Sequence, residues 1–199
     1  METVRTHRDQ VVAQIHEKPL FQPWPKTPRL FRKMTITEKI DGTNGAVIVT
    51  EDGDVFAQSR NRLVTPGKLT DNYGFARWVE DNAPALAELL GPGHHYGEWW
   101  GGKIARGYGL QEKRFSLFNT ERFKDVPLGV VPGLGTVPVL YRGPFSTEYA
   151  QYALNGLIEE GSVAAPGFMR PEGIIVYHSA AQRVFKVLVE NDQLPKGAL

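Results

Sequence analysis

Alternating apolar and polar positions predict a chain built mainly from short β-strands. A period of two residues is typical of strands that bury one face. An Asp-Gly pair at 52–53 predicts a tight hairpin between the second and third strands. In chain order the predicted strands cover residues 34–40, 46–50, 55–59, 95–100, 115–119, 137–140, 172–178 and 183–189.

Three segments carry apolar residues at helical spacing instead. Asp71 can cap the first helix, and residues 84–90 continue it before Gly91-Pro92-Gly93 ends it. Ser146 can cap a further helix at 147–160. The apolar face predicted for the first helix carries Phe75, Trp78 and Val79, and that of the last helix carries Tyr149, Tyr152, Ala153 and Leu157.

Two segments have no such periodicity. Residues 1–33 are polar and then rich in proline and basic residues, which predicts an irregular lead-in wrapped on the domain. The glycine-rich, basic segment 101–109 lies between two predicted strands and predicts a mobile loop. It lacks the Gly-Lys-Ser/Thr ending of a phosphate-cradling P-loop.

Length and composition narrow the protein class. The 199 residues, 41% hydrophobic and 23% charged, predict a single soluble domain. Without cysteine the chain forms no disulfide, no thiolate metal site and no cysteine nucleophile. It has neither a run of ~20 apolar residues nor an apolar signal core, which predicts a cytoplasmic protein with no membrane partner.

Charge is informative only locally. The net charge of +1 does not indicate a nucleic-acid-binding protein. Residues 99–124, however, hold six Lys or Arg against two acidic residues, with aromatic residues between them. This mixture suits a phosphate backbone with stacked bases. A solvated loop would have a similar composition, so both interpretations remain open.

The most distinctive stretch is Glu-Lys-Ile-Asp-Gly-Thr-Asn at 38–44, which places Lys39 where a strand meets a tight turn. A bare Lys-x-Asp-Gly is also typical of a surface lysine beside a hairpin. As a nucleophile the amine would need nearby cations and partial burial to lose its proton. Other polar residues in or beside apolar strands could converge on it, and together they suit a nucleoside triphosphate with a divalent metal. They are Arg60, Glu98, Glu172 and Lys186, with Phe118 available for stacking.

Taken in order, these segments resemble the motifs of the covalent nucleotidyltransferases, which comprise ATP-dependent DNA and RNA ligases and mRNA capping enzymes. The stretch 38–44 is most similar to the lysine motif of the nick-sealing, type 2 RNA ligases. The family's later motifs have similar counterparts in this chain, in the same order. These are Ser59-Arg60 and residues 96–101, 115–119, 171–176 and 184–186.

The resemblance implies an α+β fold, a nucleotidyltransferase (ligase adenylylation) domain of two packed antiparallel sheets flanked by helices. It also implies an RNA ligase that joins 5′-phosphate and 3′-hydroxyl ends through a lysine–AMP intermediate formed from ATP, with a role in RNA repair. Lys39 would be the nucleophile, Lys186 would contact the α-phosphate, and Glu172 would serve the phosphate and a Mg²⁺ or Mn²⁺ ion.

The remaining expected roles concern binding. Nucleotide binding would use Glu38, Ile40, Arg60, Glu98 for the ribose and Phe118 for the adenine, together with Lys186. Polynucleotide binding would use Asn44, Arg60, Lys103 and Arg106. Asn44 has an equally good interpretation as a turn amide that bonds its own backbone. Glu98 can also be interpreted as a carboxylate at the edge of a strand.

Two departures from the family pattern shape these expectations. Leu188 stands where the last motif has a second lysine, so another base such as Arg183, Lys103 or Arg106 substitutes for it or the ATP step is slow. The chain ends 13 residues after Lys186, which predicts one adenylyltransferase domain over 1–199 with no C-terminal OB or helical domain. A separate substrate-binding partner would then assist.

Two other functions remain open, an mRNA-capping-type guanylyltransferase and a degenerate nucleotide- or RNA-binding domain without turnover. The sequence also leaves open RNA, DNA or hybrid strands, nicks or free ends, and the oligomeric state.

Overall fold

The computed structural model describes residues 20–193. Residues 20–32 form no helix or strand, as predicted, but residues 20–29 are exposed and are not wrapped on the domain. Side chains that would be buried in a wrapped segment, such as Leu20 and Trp24, are almost fully exposed. Contact begins at Leu30, whose carbonyl oxygen lies 2.6 Å from Nε2 of His178. Residues 1–19 of the predicted lead-in lie outside the described residues.

The first sheet has four antiparallel strands. Their spatial order is β10-β9-β1-β8, so the two last strands of the described chain extend the sheet from its first strand. These strands are β1 (Lys33–Lys39), β8 (Val139–Pro144), β9 (Gly173–His178) and β10 (Arg183–Leu188).

The second sheet has six strands in the order β4-β3-β2-β5-β6-β7. Its last pair, β6 and β7, is parallel, which differs from the predicted all-antiparallel arrangement. A connection that includes a 3₁₀ turn at Leu128–Val130 returns the chain to the same end of the sheet before β7 begins. The strands are β2 (Thr43–Val49), β3 (Val55–Ser59), β4 (Leu63–Val64), β5 (Gly93–Gly101), β6 (Lys113–Leu117) and β7 (Leu134–Thr136).

Helices cover one face of each sheet. Helices α1 (Phe75–Asp81) and α2 (Ala83–Leu90) pack on the six-stranded sheet, where Phe75, Leu86, Trp99 and Phe115 share one apolar core. Helix α3 (Thr147–Glu160) packs on the four-stranded sheet. Side chains on the opposite faces of both sheets are therefore free to form a site. No helix within residues 20–193 is long and apolar enough to cross a membrane.

Ser146 is the N-cap residue of α3, as predicted, whereas the N-cap position of α1 is occupied by Gly74, and Asp71 reaches the first turn from three residues earlier. Oδ1 of Asp71 accepts a hydrogen bond from the amide of Ala76 at 2.7 Å. Oγ of Ser146 accepts one from the amide of Glu148 at 3.1 Å. Each of these hydrogen bonds satisfies an amide that the first turn of a helix leaves without an internal partner.

The predicted apolar face of α3 was partly wrong. Tyr149 and Tyr152 are exposed, and Leu154 is buried beside Leu157. The stripe that faces the sheet comprises positions 150, 153, 154 and 157, whose spacing is equally helical. Tyr149 instead stacks on Tyr141 of β8, with ring centroids 4.5 Å apart.

Candidate active site

Lys39 is the last residue of β1, and the carboxylate of Glu172 lies directly against it. Nζ of Lys39 is 2.5 Å from Oε2 of Glu172, and the two side chains are only 24% and 18% exposed. Strand pairing causes this contact, because Lys39 lies opposite Gly173, the residue after Glu172. Oε2 of Glu172 is buried, and among the described residues it has no partner with hydrogen-bond geometry. Within residues 20–193, the contact of this oxygen is therefore the ion pair with Lys39.

A second carboxylate reaches the site from the other sheet. Oε1 of Glu98 accepts a hydrogen bond from the amide of Gly42 at 3.1 Å, and Oε2 accepts one from Nδ2 of Asn44 at 3.2 Å. Burial raises the pKa of Glu98 from 4.5 to about 7, although the positive charge of Lys39 lowers it. Glu98 is therefore poised to gain or lose a proton near neutral pH.

Gly42 allows this close approach of the two sheets. A Cβ atom at this position would lie 2.5 Å from the carbonyl oxygen of Trp99 and 2.8 Å from Cβ of Trp100. Contacts this short do not occur in packed proteins. Glycine is therefore required for the turn at 40–42 to pack against β5 and to present its amide to Glu98.

Glu38 precedes Lys39 on β1 and therefore points to the opposite face of the sheet, where it is buried and accepts hydrogen bonds from protein groups. Its carboxylate accepts hydrogen bonds from Oγ of Ser162 at 2.5 Å and from the amides of Val163 and Ala164 at 2.8 and 2.9 Å. Burial raises the pKa of Glu38 despite these bonds. The nucleotide-binding role of Glu38 stays a prediction, and its side chain is already committed to the 162–164 segment. No signal in the sequence links these positions.

The glycine-rich segment 101–109 is packed, which contradicts the prediction of a mobile loop. Ile104 and Tyr108 are buried in it. The hydroxyl oxygen of Tyr108 accepts a hydrogen bond from the amide of Asp41 at 2.8 Å, and burial raises the pKa of this phenol. Nε of Arg106 lies 3.1 Å from Oδ2 of Asp41. Arg106, predicted to bind polynucleotide, thus holds the turn that follows Lys39.

The register of the paired strands shows on which face of the sheet Lys186 and Leu188 lie. Lys186 lies opposite Ile175, which in turn lies opposite Thr37, so Lys186 and Lys39 share one face of the sheet. Leu188 is in register with Gly173 and Lys39, so the predicted strand face of Leu188 is confirmed. A lysine at this position would face the same site.

The remaining predicted residues are less closely tied to Lys39. Arg60 follows β3 one position beyond the pairing of Ser59 with Gly45, and its side chain is exposed. Phe118 follows β6, its ring is partly exposed and its amide donates to the carbonyl oxygen of Tyr96. Ile40 is buried, whereas Lys103 is exposed. Their binding roles stay predictions.

A cavity of about 300 Å³ lies beside this site. Within it Nε1 of Trp100 donates a hydrogen bond to Oγ of Ser116 at 2.9 Å. Other residues that line the cavity are Arg114, Thr136, Pro138 and Ala164. Ala164 connects it to the segment held by Glu38. No pattern in the sequence predicts this cavity, because its walls come from distant parts of the chain.

Among residues 20–193, no group of three or more His, Asp or Glu side chains is arranged to hold a metal ion. At the Lys39 site, Glu172 offers one carboxylate that could bind a metal ion. Lys39 itself and the buried Glu98 lie beside it. Such an arrangement can position a bound anion and titrate near neutral pH.

Two comparisons with known proteins, one with family profiles and one with solved structures, found matches. The RNA ligase family profile matches residues 32–188. Solved structures of variants of the Naegleria gruberi RNA ligase are similar in fold. One, with AMP and Mn, is 16% identical with a TM-score of 0.56 over 80% of this chain and 50% of that one. Another, with ATP and Mn, is 17% identical with a TM-score of 0.61 over 81% and 51%.

No curated protein matches the chain. The chain spans about half the length of the solved ligases that it resembles. At these identities the structural likeness establishes the fold alone. The sequence profile covers most of the chain, and on that basis the chain belongs to the RNA ligase family.

Proposed function

We propose that the chain is the adenylylating part of an ATP-dependent RNA ligase, which joins a 5′-phosphate to a 3′-hydroxyl through AMP bound covalently to Lys39. The observation that carries this proposal is the convergence of Lys39 and Glu172 from one sheet with Glu98 from the other. Membership of the RNA ligase family and the solved ligases with ATP or AMP support it.

In the first step the neutral amine of Lys39 attacks the α-phosphorus of ATP. A nitrogen–phosphorus bond forms, the bond from this phosphorus to the bridging oxygen breaks, and pyrophosphate leaves with the electron pair. The nitrogen gives up one proton to solvent and becomes the phosphoramidate. The amine must be free of Glu172, which now lies 2.5 Å from it. Entry of the nucleotide would therefore have to separate this ion pair.

A divalent ion fits the site only together with phosphate ligands. Mg²⁺ is commonly held by one or two carboxylates plus substrate phosphates, and Glu172 offers one partly buried carboxylate, whose Oε2 lies 2.5 Å from Nζ of Lys39. When bound, a Mg²⁺ or Mn²⁺ ion would offset negative charge on the reacting phosphates. Glu172 would be its protein ligand, and its ion pair with Lys39 must open before the amine can react.

The protein's own cations and hydrogen-bonding groups would orient the nucleotide. Lys186 shares the strand face of Lys39 and would stabilise charge on the α-phosphate. Glu98 would bind a ribose hydroxyl. With its pKa raised to about 7, it can accept a hydrogen bond as carboxylate or donate one as carboxylic acid.

Two further transfers would complete the reaction. The 5′-phosphate of a strand attacks the adenylyl phosphorus, the bond to Lys39 breaks, and the amine leaves with a proton. The 3′-hydroxyl of the second strand then attacks the activated 5′-phosphorus. A phosphodiester bond forms, the pyrophosphate bond to AMP breaks so that AMP leaves, and the hydroxyl proton passes to solvent. Asn44 would orient the strand after the lysine has been released, and its hydrogen bond to Glu98, at 3.2 Å, supports a role near the nucleotide.

An assay with pre-adenylylated RNA separates these steps. The Lys39→Ala variant should not react with ATP, yet it should join a strand supplied with AMP already on its 5′ end. Lys33→Ala, at the exposed start of the same strand, is the matched control and should retain all steps. Joining should fall more steeply with salt than adduct formation does, because polynucleotide binding depends on phosphate contacts.

Failure of Lys39→Ala to join pre-adenylylated RNA, under conditions where Lys33→Ala joins it, would restrict the proposal to adenylyl transfer. A label transferred from GTP and not from ATP would support a capping-type guanylyltransferase instead. A label from neither nucleotide would support the degenerate binding domain, which Leu188 in the position of the second lysine favours.

A further inference from the structure

Residues 20–32, which precede β1, present large apolar side chains to solvent. We call them the leading segment. Leu20, Phe21 and Trp24 are 92%, 89% and 91% exposed. Phe31, next to the first strand, is 78% exposed. Soluble domains rarely leave several large apolar side chains together in water, and such groups mark interaction sites.

All charged residues of the leading segment are basic. They are Lys26, Arg29 and Arg32, and Lys33 continues the series at the start of β1. All four are exposed, and none of them forms an ion pair with a carboxylate among residues 20–193. Their positive charge is therefore open to an anionic ligand.

Hydrogen bonds to two other parts of the four-stranded sheet fix the end of the leading segment. The carbonyl oxygen of Leu30 lies 2.6 Å from Nε2 of His178, the last residue of β9. The carbonyl oxygen of Arg32 accepts a hydrogen bond from the amide of Phe145, just after β8, at 2.7 Å. The segment therefore leaves the domain from a defined place, at the end of β1 opposite to Lys39.

Three prolines favour an extended form for the part that precedes these contacts. Each proline fixes its own φ and disfavours a helical conformation of the residue before it. Residues 20–29 accordingly form no helix or strand. The prolines are Pro23, Pro25 and Pro28. In an extended proline-rich chain, side chains three positions apart lie on the same edge.

The spacing of the other side chains follows this three-residue period. Lys26, Arg29 and Arg32 are three positions apart, and so are Phe21 and Trp24. A row of cations suits the phosphates of a polynucleotide, and aromatic rings beside the row can stack on its bases. An acidic protein surface would also attract the cations, but it has no regular series of planar rings for the aromatic edge.

We infer that the leading segment binds the polynucleotide, with its cations on the phosphates and Trp24 stacked on an unpaired base. The inference rests on the proposed ligase function and specifies where this chain holds its strand. The seven residues of β1 span about 20 Å between the segment and Lys39. Stacked nucleotides advance about 3.4 Å each, so the contact lies about six nucleotides from the reacting end.

The test measures RNA binding by the full chain without ATP. Fluorescence anisotropy with a labelled, 5′-phosphorylated single-stranded RNA, long enough to span β1 and the leading segment, gives the affinity at several salt concentrations. The double variant Lys26→Ala/Arg29→Ala should bind more weakly at low salt. It should also reduce the slope of log affinity against log salt by about 1.4, since each phosphate contact on a single strand contributes about 0.7.

Trp24→Ala tests stacking separately from charge. It should weaken binding about fivefold or more, since stacking contributes at least this much per base. All four tryptophans lie within residues 20–193, and Trp24 alone is exposed, because Trp78 is half-buried and Trp99 and Trp100 are buried. RNA should therefore quench the tryptophan emission of the unaltered protein but not that of Trp24→Ala.

Matched variants control for each change. Lys26→Arg/Arg29→Lys retains both charges and should keep the affinity and the salt slope. Arg77→Ala removes an exposed cation from α1, which covers the other face of the six-stranded sheet, and should not weaken binding. Tyr152→Ala removes an exposed ring from α3 and should have no effect. Because every replaced side chain is exposed, all variants should keep their melting temperatures.

The inference is overturned if Lys26→Ala/Arg29→Ala keeps the salt slope of the unaltered protein, or if Trp24→Ala binds the RNA as tightly as that protein does. It is also overturned if tryptophan emission responds to protein concentration and not to RNA, because the leading segment would then bind a protein surface.

Formation of the Lys39 adduct separates this inference from the proposed function. Both variants should form the adduct like the unaltered protein, and loss of the adduct would overturn the inference, because the leading segment would then serve the ATP step. Absence of an adduct in the unaltered protein would contradict the proposed function alone, since RNA binding is measured without ATP.

Discussion

Replacing Glu98 by glutamine should make the stability of the protein less sensitive to pH. The carboxyl group is 9% exposed, and burial raises its pKa from 4.5 to about 7. Glutamine has nearly the same size and keeps one oxygen that can accept from the amide of Gly42. Its amide group requires Asn44 to turn its side-chain oxygen inward, a rotation that an exposed asparagine permits.

The sign and size of the effect follow from proton linkage. The folded state binds the proton of Glu98 more tightly than the unfolded state does, so stability falls as pH rises between 4.5 and about 7. Each pKa unit corresponds to about 1.4 kcal/mol, and the full shift therefore to about 3 kcal/mol. Glu98→Gln removes this loss, so its free energy of unfolding relative to the unaltered protein should rise by about that amount over the same interval.

Urea unfolding near pH ~5 and pH ~8 measures the difference. At each pH the midpoint of the unaltered protein is subtracted from that of Glu98→Gln. This difference should be about 1 to 2 M urea larger at pH ~8 than at pH ~5. Glu88→Gln, at an exposed position on α2, controls for the substitution itself. A stability difference that is the same at both pH values would refute the argument that burial controls the protonation of Glu98.

Three further variants test separate parts of the site. Glu38→Ala should lower the free energy of unfolding by about 2 to 3 kcal/mol, since it leaves the buried hydroxyl of Ser162 and the partly buried amides of Val163 and Ala164 without their acceptor; a loss below about 1 kcal/mol in urea unfolding would contradict this. Leu188→Lys should remain folded and still form the adduct, because position 188 shares the face of Lys39; an insoluble variant would place Leu188 in the core. Glu172→Gln should abolish adduct formation without lowering the melting temperature in circular dichroism; a fall of several degrees would indicate a structural role.

The positions of the longer strands along the chain and of Lys39 at the end of the first could be predicted because they depend on local signals. Period-two apolar runs and the Asp-Gly turn identify β1 to β3, and Ser146 identifies the start of α3. The short strands β4 and β7, with two and three residues, are too brief for such periodicity. They form only because a neighbouring strand supplies hydrogen-bond partners.

Contacts between distant segments could not be predicted. Glu38 bonds to Ser162 across 124 residues, and Tyr108 to the amide of Asp41 across 67. Neither pair has a sequence pattern that links its members. The glycine content of segment 101–109 suggested mobility, but a buried tyrosine and an arginine that pairs with Asp41 hold it in place. The exposed Tyr152 was misplaced because two apolar stripes on α3 fit the helical period equally well.

Mass spectrometry of the protein after incubation with ATP and a divalent metal tests the central claim most directly. We expect one added AMP, labile in acid, which peptide mapping assigns to Lys39. The adduct should be absent from Lys39→Ala and present in Lys33→Ala. An adduct on any other residue, or one that persists in Lys39→Ala, would contradict the account.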